Sequence, residues 1–137
     1  MTTSRRILIV EDDEPLAHLL KLRLEGEGFA VQTETSGRAA LTYAAGHPMD
    51  LVILDLKLPD LSGYDVAKQL RRTYQPWVLP VLMLTGMDKP VDQLRGFAHG
   101  ADAYITKPFE PDELVKTITL LLGETARRSD DDVAPQR

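Results

Sequence analysis

The sequence predicts an α/β domain built on a parallel sheet, and three observations carry that prediction. The apolar runs Ile7-Leu8-Ile9-Val10, Leu51-Val52-Ile53-Leu54 and Val81-Leu82-Met83-Leu84 recur along the chain. Runs that are apolar at every position, rather than at alternate ones, belong to strands buried on both faces. Between them lie stretches whose apolar residues recur at helical spacing, and strands alternating with helices fold as βαβ units with right-handed crossovers. Finally, 137 residues without a cysteine suit one domain that buries a core without staples.

Each element has its own signals. Ile7 to Val10 is the first strand. Pro15 suits a first helical turn, where its missing N–H costs nothing, and Leu16, Leu19, Leu20 and Leu24 follow at helical spacing before Gly26 and Gly28. Phe29 to Glu34 alternates and reads as the second strand. Ser36 is a good N-cap for a helix through Ala39, Ala40, Leu41 and Ala44, closed by Gly46. After the third strand, Leu51 to Leu54, a helix from about Gly63 carries Val66, Ala67 and Leu70 and fades through Arg71 to Pro76. Pro80 opens the fourth strand, which ends at Thr85-Gly86. Pro90 to His99 is the weakest helix, because Gly96 inside it costs about 1 kcal/mol relative to Ala. Ala103 to Ile105 is a short fifth strand. Pro111, Asp112 and Glu113 open a last helix with the acids that suit its macrodipole, and Leu114, Val115, Ile118, Leu121 and Leu122 continue it. The domain is expected over residues 1–122, and the polar, aperiodic stretch 123–137 is expected to be a disordered tail.

Five such units fit the flavodoxin-like doubly wound sandwich, with parallel strands in the order 2-1-3-4-5. That order makes the first and third strands neighbours. Both run straight into acid, Glu11-Asp12-Asp13 after the first and Asp55 after the third. The carboxyl ends of strands are where open α/β sheets hold their ligands.

Composition removes several classes of function. The formal net charge is −5, a poor basis for binding nucleic acid, where phosphate neutralisation needs clustered Lys and Arg. Without cysteine there are no disulfides, thiolate metal sites or cysteine nucleophiles. The apolar runs are far too short to span a bilayer, and Met1 to Arg6 leads into no signal-peptide core, so a cytoplasmic location is expected. His18, His47 and His99 have no ligand spacing; Met49, Met83 and Met87 suit packing; Trp77 reads as a loop-anchoring aromatic.

Converging carboxylates repel one another unless something neutralises them. A hard divalent cation is the obvious partner, and Mg²⁺ prefers oxygen ligands with several retained waters. Asp12 and Asp55 can ligate it directly, with Glu11 holding a metal-bound water. Such a site can orient a phosphoryl donor against Asp55, because carboxylates form aspartyl phosphates. Thr85, at the end of the fourth strand, and Lys107, after the fifth, supply a hydroxyl and a cation for the phosphoryl oxygens. Singly, each residue has an ordinary explanation: Asp12 and Asp13 as helix caps, Thr85 as a strand end, Tyr104 as edge packing, Lys107 as a solvated surface lysine. Four strands all ending in the chemistry of one site argue against those readings taken together.

The same residues carry a resemblance. Ile7-Leu-Ile-Val-Glu11-Asp12-Asp13-Glu14-Pro15, Leu54-Asp55-Leu-Lys57-Leu-Pro59 with Gly63, Leu84-Thr85-Gly86 and Tyr104-Ile-Thr-Lys107-Pro108-Phe109 follow in order, and from Arg6 to about Leu122 the chain resembles a response-regulator receiver domain of two-component signalling. The resemblance implies that Asp55 accepts a phosphoryl group from a histidine kinase or histidine phosphotransfer protein. It implies Mg²⁺, or Mn²⁺ in its place, on Asp12, Asp55 and the backbone carbonyl of Lys57, with Glu11 acting through water. Thr85 and Tyr104 become the switch residues, Lys107 the phosphate-binding cation, and the Lys107–Pro108 bond cis. The surface of the fourth helix, fifth strand and fifth helix is then expected to change its affinity for a downstream protein. No segment after Leu122 suits an output domain, so a stand-alone regulator is expected, catalysing only its own phosphorylation and dephosphorylation; a relay intermediate and a fragment of a larger regulator are the alternatives. A Mg²⁺-dependent phosphatase would need an acid where Lys57 stands, and a flavin site would need a hydroxyl- and Gly-rich loop where Glu11-Asp12-Asp13 stand.

Overall fold

The computed structural model describes residues 4–75, 78–86 and 100–133. In chain order they form β1 (Arg6–Val10), α1 (Glu14–Gly26), β2 (Ala30–Glu34), α2 (Gly37–Gly46), β3 (Leu51–Leu54), α3 (Gly63–Thr73), β4 (Val81–Thr85), β5 (Ala103–Thr106) and a C-terminal helix, Pro111–Val133. The strands make one parallel sheet in the order β2-β1-β3-β4-β5, as the sequence predicts. The weak helix at Pro90 to His99, Met87 and Trp77 lie outside the described residues.

The continuous apolar runs are explained by two cores, one on each face. Leu8, Val10, Val52, Leu54, Val81 and Met83 point toward α2 and α3 and meet Ala40, Ala44, Val66, Ala67 and Leu70. The residues between them, Ile7, Ile9, Leu51, Ile53, Leu82 and Leu84, point the other way and meet Leu20 and Leu24 of α1 and Leu114, Ile118 and Leu122 of the C-terminal helix. Alternation along a strand serves both cores, so no position is free to be polar. Each fully buried Leu, Ile or Val contributes about 1.5–3 kcal/mol relative to exposure.

Helix starts follow the local chemistry. Asp13 accepts from the Leu16 amide at 3.1 Å, so the ordinary reading of this residue as a cap holds for Asp13. Ser36 accepts from Ala39 at 3.1 Å, and Ser62 with Asp65 forms a capping box at the head of α3. Leu19, assigned to the apolar face of α1 by its spacing, is instead 64% exposed.

At the C-terminus the structure departs from the sequence reading. The last helix does not stop at Gly123 but runs to Val133. Apolar periodicity ends at Leu122, yet Glu124, Ala126, Arg127 and Arg128 are good helix formers, and one Gly costs only about 1 kcal/mol. A helix without an apolar stripe has no periodicity to reveal it.

A second feature lacks any local signal. Arg71, in the last turn of α3, donates to the carbonyls of Gly100 at 2.9 Å and Leu79 at 2.6 Å and pairs with Asp102. Asp102 also accepts from the Val81 amide at 2.8 Å. The cluster ties α3 to the starts of β4 and β5, at the sheet edge opposite the acids. Burial lowers the pKa of Arg71, and Asp102 opposes that shift.

Candidate functional site

The sheet brings the acids together. β1 and β3 pair directly, Val10 beside Leu54, so the next residue on each strand emerges at the same edge. Ladder bonds run one step past both strands: the Glu11 amide donates to Glu34 at 3.0 Å and the Asp55 amide to Val10 at 3.0 Å. The two acids therefore sit on held backbone. One carboxylate oxygen from each of Glu11, Asp12 and Asp55 falls within 4.8 Å of the others. Glu11 and Asp55 are buried and Asp12 is exposed, so the cluster opens to solvent on one side.

Lys107 closes it from the other side. Its Nζ donates to Glu11 Oε1 at 2.6 Å and to Asp55 Oδ2 at 3.1 Å. Its amide donates to the Thr85 carbonyl at 2.8 Å, prolonging the β4–β5 ladder, and the Lys107–Pro108 bond is cis. Thr85 itself is buried at the end of β4. Tyr104, paired in register with Met83 on β4, is half-buried against the core on the α2–α3 face. The Lys57 amide donates to Asp55 Oδ1 at 3.3 Å. The structure thus gathers Glu11, Asp12, Asp55 and Lys107 into one cluster, joins Thr85 to it through the Lys107 amide and Lys57 through its own amide on the Asp55 carboxylate, and places Tyr104 on β5 beside β4.

Burial and the neighbouring Asp55 push the Glu11 carboxyl up to about 7, against the pull of Lys107 and the Asp13 amide. For Lys107, burial works against the ammonium, but Glu11 and Asp55 outweigh it and raise the pKa. Three carboxyl groups facing one ammonium leave the site short of positive charge. An all-oxygen donor set with that deficit fits a hard dication such as Mg²⁺. Among the described residues this is the group of acids that could hold one.

The loop from Asp55 into α3 is folded tightly back. The Gly63 amide donates to the Leu56 carbonyl at 2.7 Å, and Lys57 and Ser62 form an isolated antiparallel bridge. A Cβ on Gly63 would lie 2.3 Å from the Asp55 carbonyl oxygen, so only glycine fits. Asp60, at the loop tip, reaches across to α2 and accepts from the amides of Gly37 at 2.8 Å and Arg38 at 2.9 Å. Those bonds hold its pKa below the ordinary aspartate value. The sequence reading missed this contact, because a bond spanning more than twenty residues leaves no periodic trace; the Asp in Pro59-Asp60 reads simply as a loop acid.

Comparison with known proteins agrees with this geometry. A family model for the response regulator receiver domain matches residues 7–119. Regulatory protein VanRc of Enterococcus gallinarum is 36% identical over 96% of this chain and 56% of its own length. The DNA-binding response regulator MtrA of Mycobacterium bovis is 43% identical over 97% of this chain and 55% of its own. The chain spans about half the length of these curated relatives. Among solved structures, a CheY-like receiver domain from Methanospirillum hungatei superposes with a TM-score of 0.87 at 30% identity, covering 92% of this chain and 99% of that one.

Proposed function

Because the chain belongs to the response regulator receiver domain family, we propose that Asp55 accepts a phosphoryl group from a phosphohistidine on a histidine kinase or phosphotransfer protein. The single observation that supports this best is the Lys107 ammonium placed between Glu11 and the buried Asp55 carboxylate at the open end of the sheet. An Asp55 oxygen attacks phosphorus in line; the P–O bond forms as the P–N bond breaks, and the imidazole leaves, taking up a proton. Lys107 is already within hydrogen-bonding reach of the attacking carboxylate and takes up charge that spreads onto the phosphoryl oxygens. Asp12, Asp55 and the Lys57 carbonyl would hold Mg²⁺, with Glu11 acting through water. Bound there, the ion would neutralise the crowded acids and the transferred group. Thr85 supplies a hydroxyl from the neighbouring strand, and with Tyr104 it reports the phosphorylated state to the outer surface of β5 and the helices beside it.

On this reading the domain is a switch, not a turnover enzyme; it acts in the cytoplasm on a protein partner, and the receiver itself makes no contact with nucleic acid or membrane. Among the described residues no helix is long and apolar enough to cross a membrane. One observation favours a second reading of the output. The relatives extend to about twice the matched length, and one is named a DNA-binding regulator, so the switch would then govern a DNA-binding segment joined to it. Comparing the encoded reading frame with residues 1–137 separates the two. The test of the shared claim is intact mass after incubation with Mg²⁺ and acetyl phosphate. One added phosphoryl group, absent without Mg²⁺ and absent in Asp55→Asn, is expected; an adduct that persists in Asp55→Asn overturns it.

A further inference from the structure

The loop between Asp55 and α3 carries a fastening whose bonds are made to α2 and not to the acid cluster or Lys107. Its base is closed by the Gly63–Leu56 hydrogen bond and the Lys57–Ser62 bridge. Its tip is held in two ways. Leu58 and Leu61 pack on the core of the α2–α3 face, with Leu61 seated where a Gly37 side chain would be: a Cβ there would meet Leu61 Cβ at 2.9 Å. Apolar contact of this kind is non-directional. Asp60 supplies the direction, because both of its oxygens are engaged, Oδ1 by the Gly37 amide at 2.8 Å and Oδ2 by the Arg38 amide at 2.9 Å.

Asp60 completes the capping of α2, but it does so from the loop that follows Asp55 and so ties that loop to the helix. Ser36 already serves that helix locally: its Oγ takes the Ala39 amide at 3.1 Å and its carbonyl takes the Ala40 amide at 3.1 Å. The remaining two of the first four amides are those that Asp60 binds. A carboxylate held by two successive amides has its plane fixed, and charge assistance makes both bonds strong. The Arg38 side chain adds little, since its Nε lies 3.9 Å away and is largely exposed. With α2 packed on the sheet and the tip fixed to α2, the peptide planes between Asp55 and Asp60 are fixed too, and the Lys57 carbonyl is among them.

We propose that Asp60 is a positioning residue for the metal site, orienting the Lys57 carbonyl by anchoring the loop that presents it to the first two amides of α2. The inference rests on the reading of Lys57 as a metal ligand given above. Orientation of this sort is expected to act on affinity for the ion.

The test compares wild type, Asp60→Ala, Asp60→Asn and Arg38→Ala by calorimetric titration with Mg²⁺, alongside amide hydrogen exchange of Lys57 to Leu61 without metal. Asp60→Ala is expected to weaken Mg²⁺ binding about tenfold, the low end for loss of an outer-shell partner, and to speed exchange in the loop. Asp60→Asn keeps one carbonyl acceptor and is expected to fall between, and it carries the comparison if Asp60→Ala does not fold. Arg38→Ala retains its amide and is expected to match wild type. Saturating Mg²⁺ is expected to restore the acetyl phosphate reaction of Asp60→Ala to the wild-type rate. If both Asp60 variants lose stability but bind Mg²⁺ as wild type does, Asp60 is a helix cap and the proposal is wrong. A wild-type protein that binds no Mg²⁺ overturns the metal-site reading itself, and this inference with it.

Discussion

Gly63→Ala would crowd the backbone that carries Asp55. An alanine Cβ would lie 2.3 Å from the Asp55 carbonyl oxygen and 2.8 Å from Leu56 Cα, whereas real contacts of this kind stay above 3.0 Å. The carbonyl contact must therefore open by about 0.7 Å (3.0 − 2.3), and backbone, not a flexible side chain, has to yield. Overpacking of that order costs about 1–3 kcal/mol. At a urea dependence of about 2 kcal/mol per molar, the midpoint falls by about 0.5–1.5 M. The strained backbone carries Asp55, so the acetyl phosphate reaction should slow as well, by up to about 100-fold for a displacement approaching 1 Å. Gly46→Ala is the control: it is also helical, and nothing lies within 4 Å of its added Cβ. Circular dichroism in urea and intact-mass time courses read both effects. If Gly63→Ala is as stable as Gly46→Ala and reacts at the wild-type rate, the close approach of α3 to the Asp55 backbone is not a constraint on the site.

Three other expectations come from the charged contacts. Lys107→Ala leaves Glu11 and Asp55 facing each other without their shared cation, so the metal-free variant should melt below wild type and gain more from millimolar Mg²⁺; an equal gain in melting temperature would contradict the pairing. Arg71→Ala strips a partner from Asp102 and donors from two carbonyls far from the acids; a loss of about 3 kcal/mol in urea unfolding, with Mg²⁺ affinity unchanged, is expected, and a loss under about 1 kcal/mol would show the cluster to be incidental. Asp60 has a pKa depressed by the α2 amides, so its contribution is present above the unfolded aspartate value near 3.9 and fades as pH falls through the lower native value. The stability gap between wild type and Asp60→Asn should therefore narrow on acidification below about pH 4; a gap that widens there contradicts the assignment.

The fold and the acid cluster were legible because each rests on local pattern. Val10 before Glu11 and Leu54 before Asp55 mark strand ends, and the order 2-1-3-4-5 alone brings those ends together. Lys107 was legible by its place after β5, although its two partners at 2.6 and 3.1 Å were not. Leu19 shows the limit of helical spacing: it shares the stripe with Leu20 but lies on the rim, 64% exposed. Residues 124–133 show another, since a polar helix has no apolar period to read. Asp60 and Arg71 show the deepest limit. Both act through backbone groups brought near only by the finished fold, and an amide or carbonyl carries no residue identity that a sequence could reveal.

Reductive trapping tests at the residue whether Asp55 itself carries the phosphoryl group. Borohydride reduces an acyl phosphate to an alcohol, so treating the protein after reaction with Mg²⁺ and acetyl phosphate and mapping its peptides locates the modified carboxyl. Homoserine at position 55, and at neither Asp12 nor Asp13, is the expected result. Homoserine at one of those neighbours, or phosphorylated protein that yields none, would contradict the account.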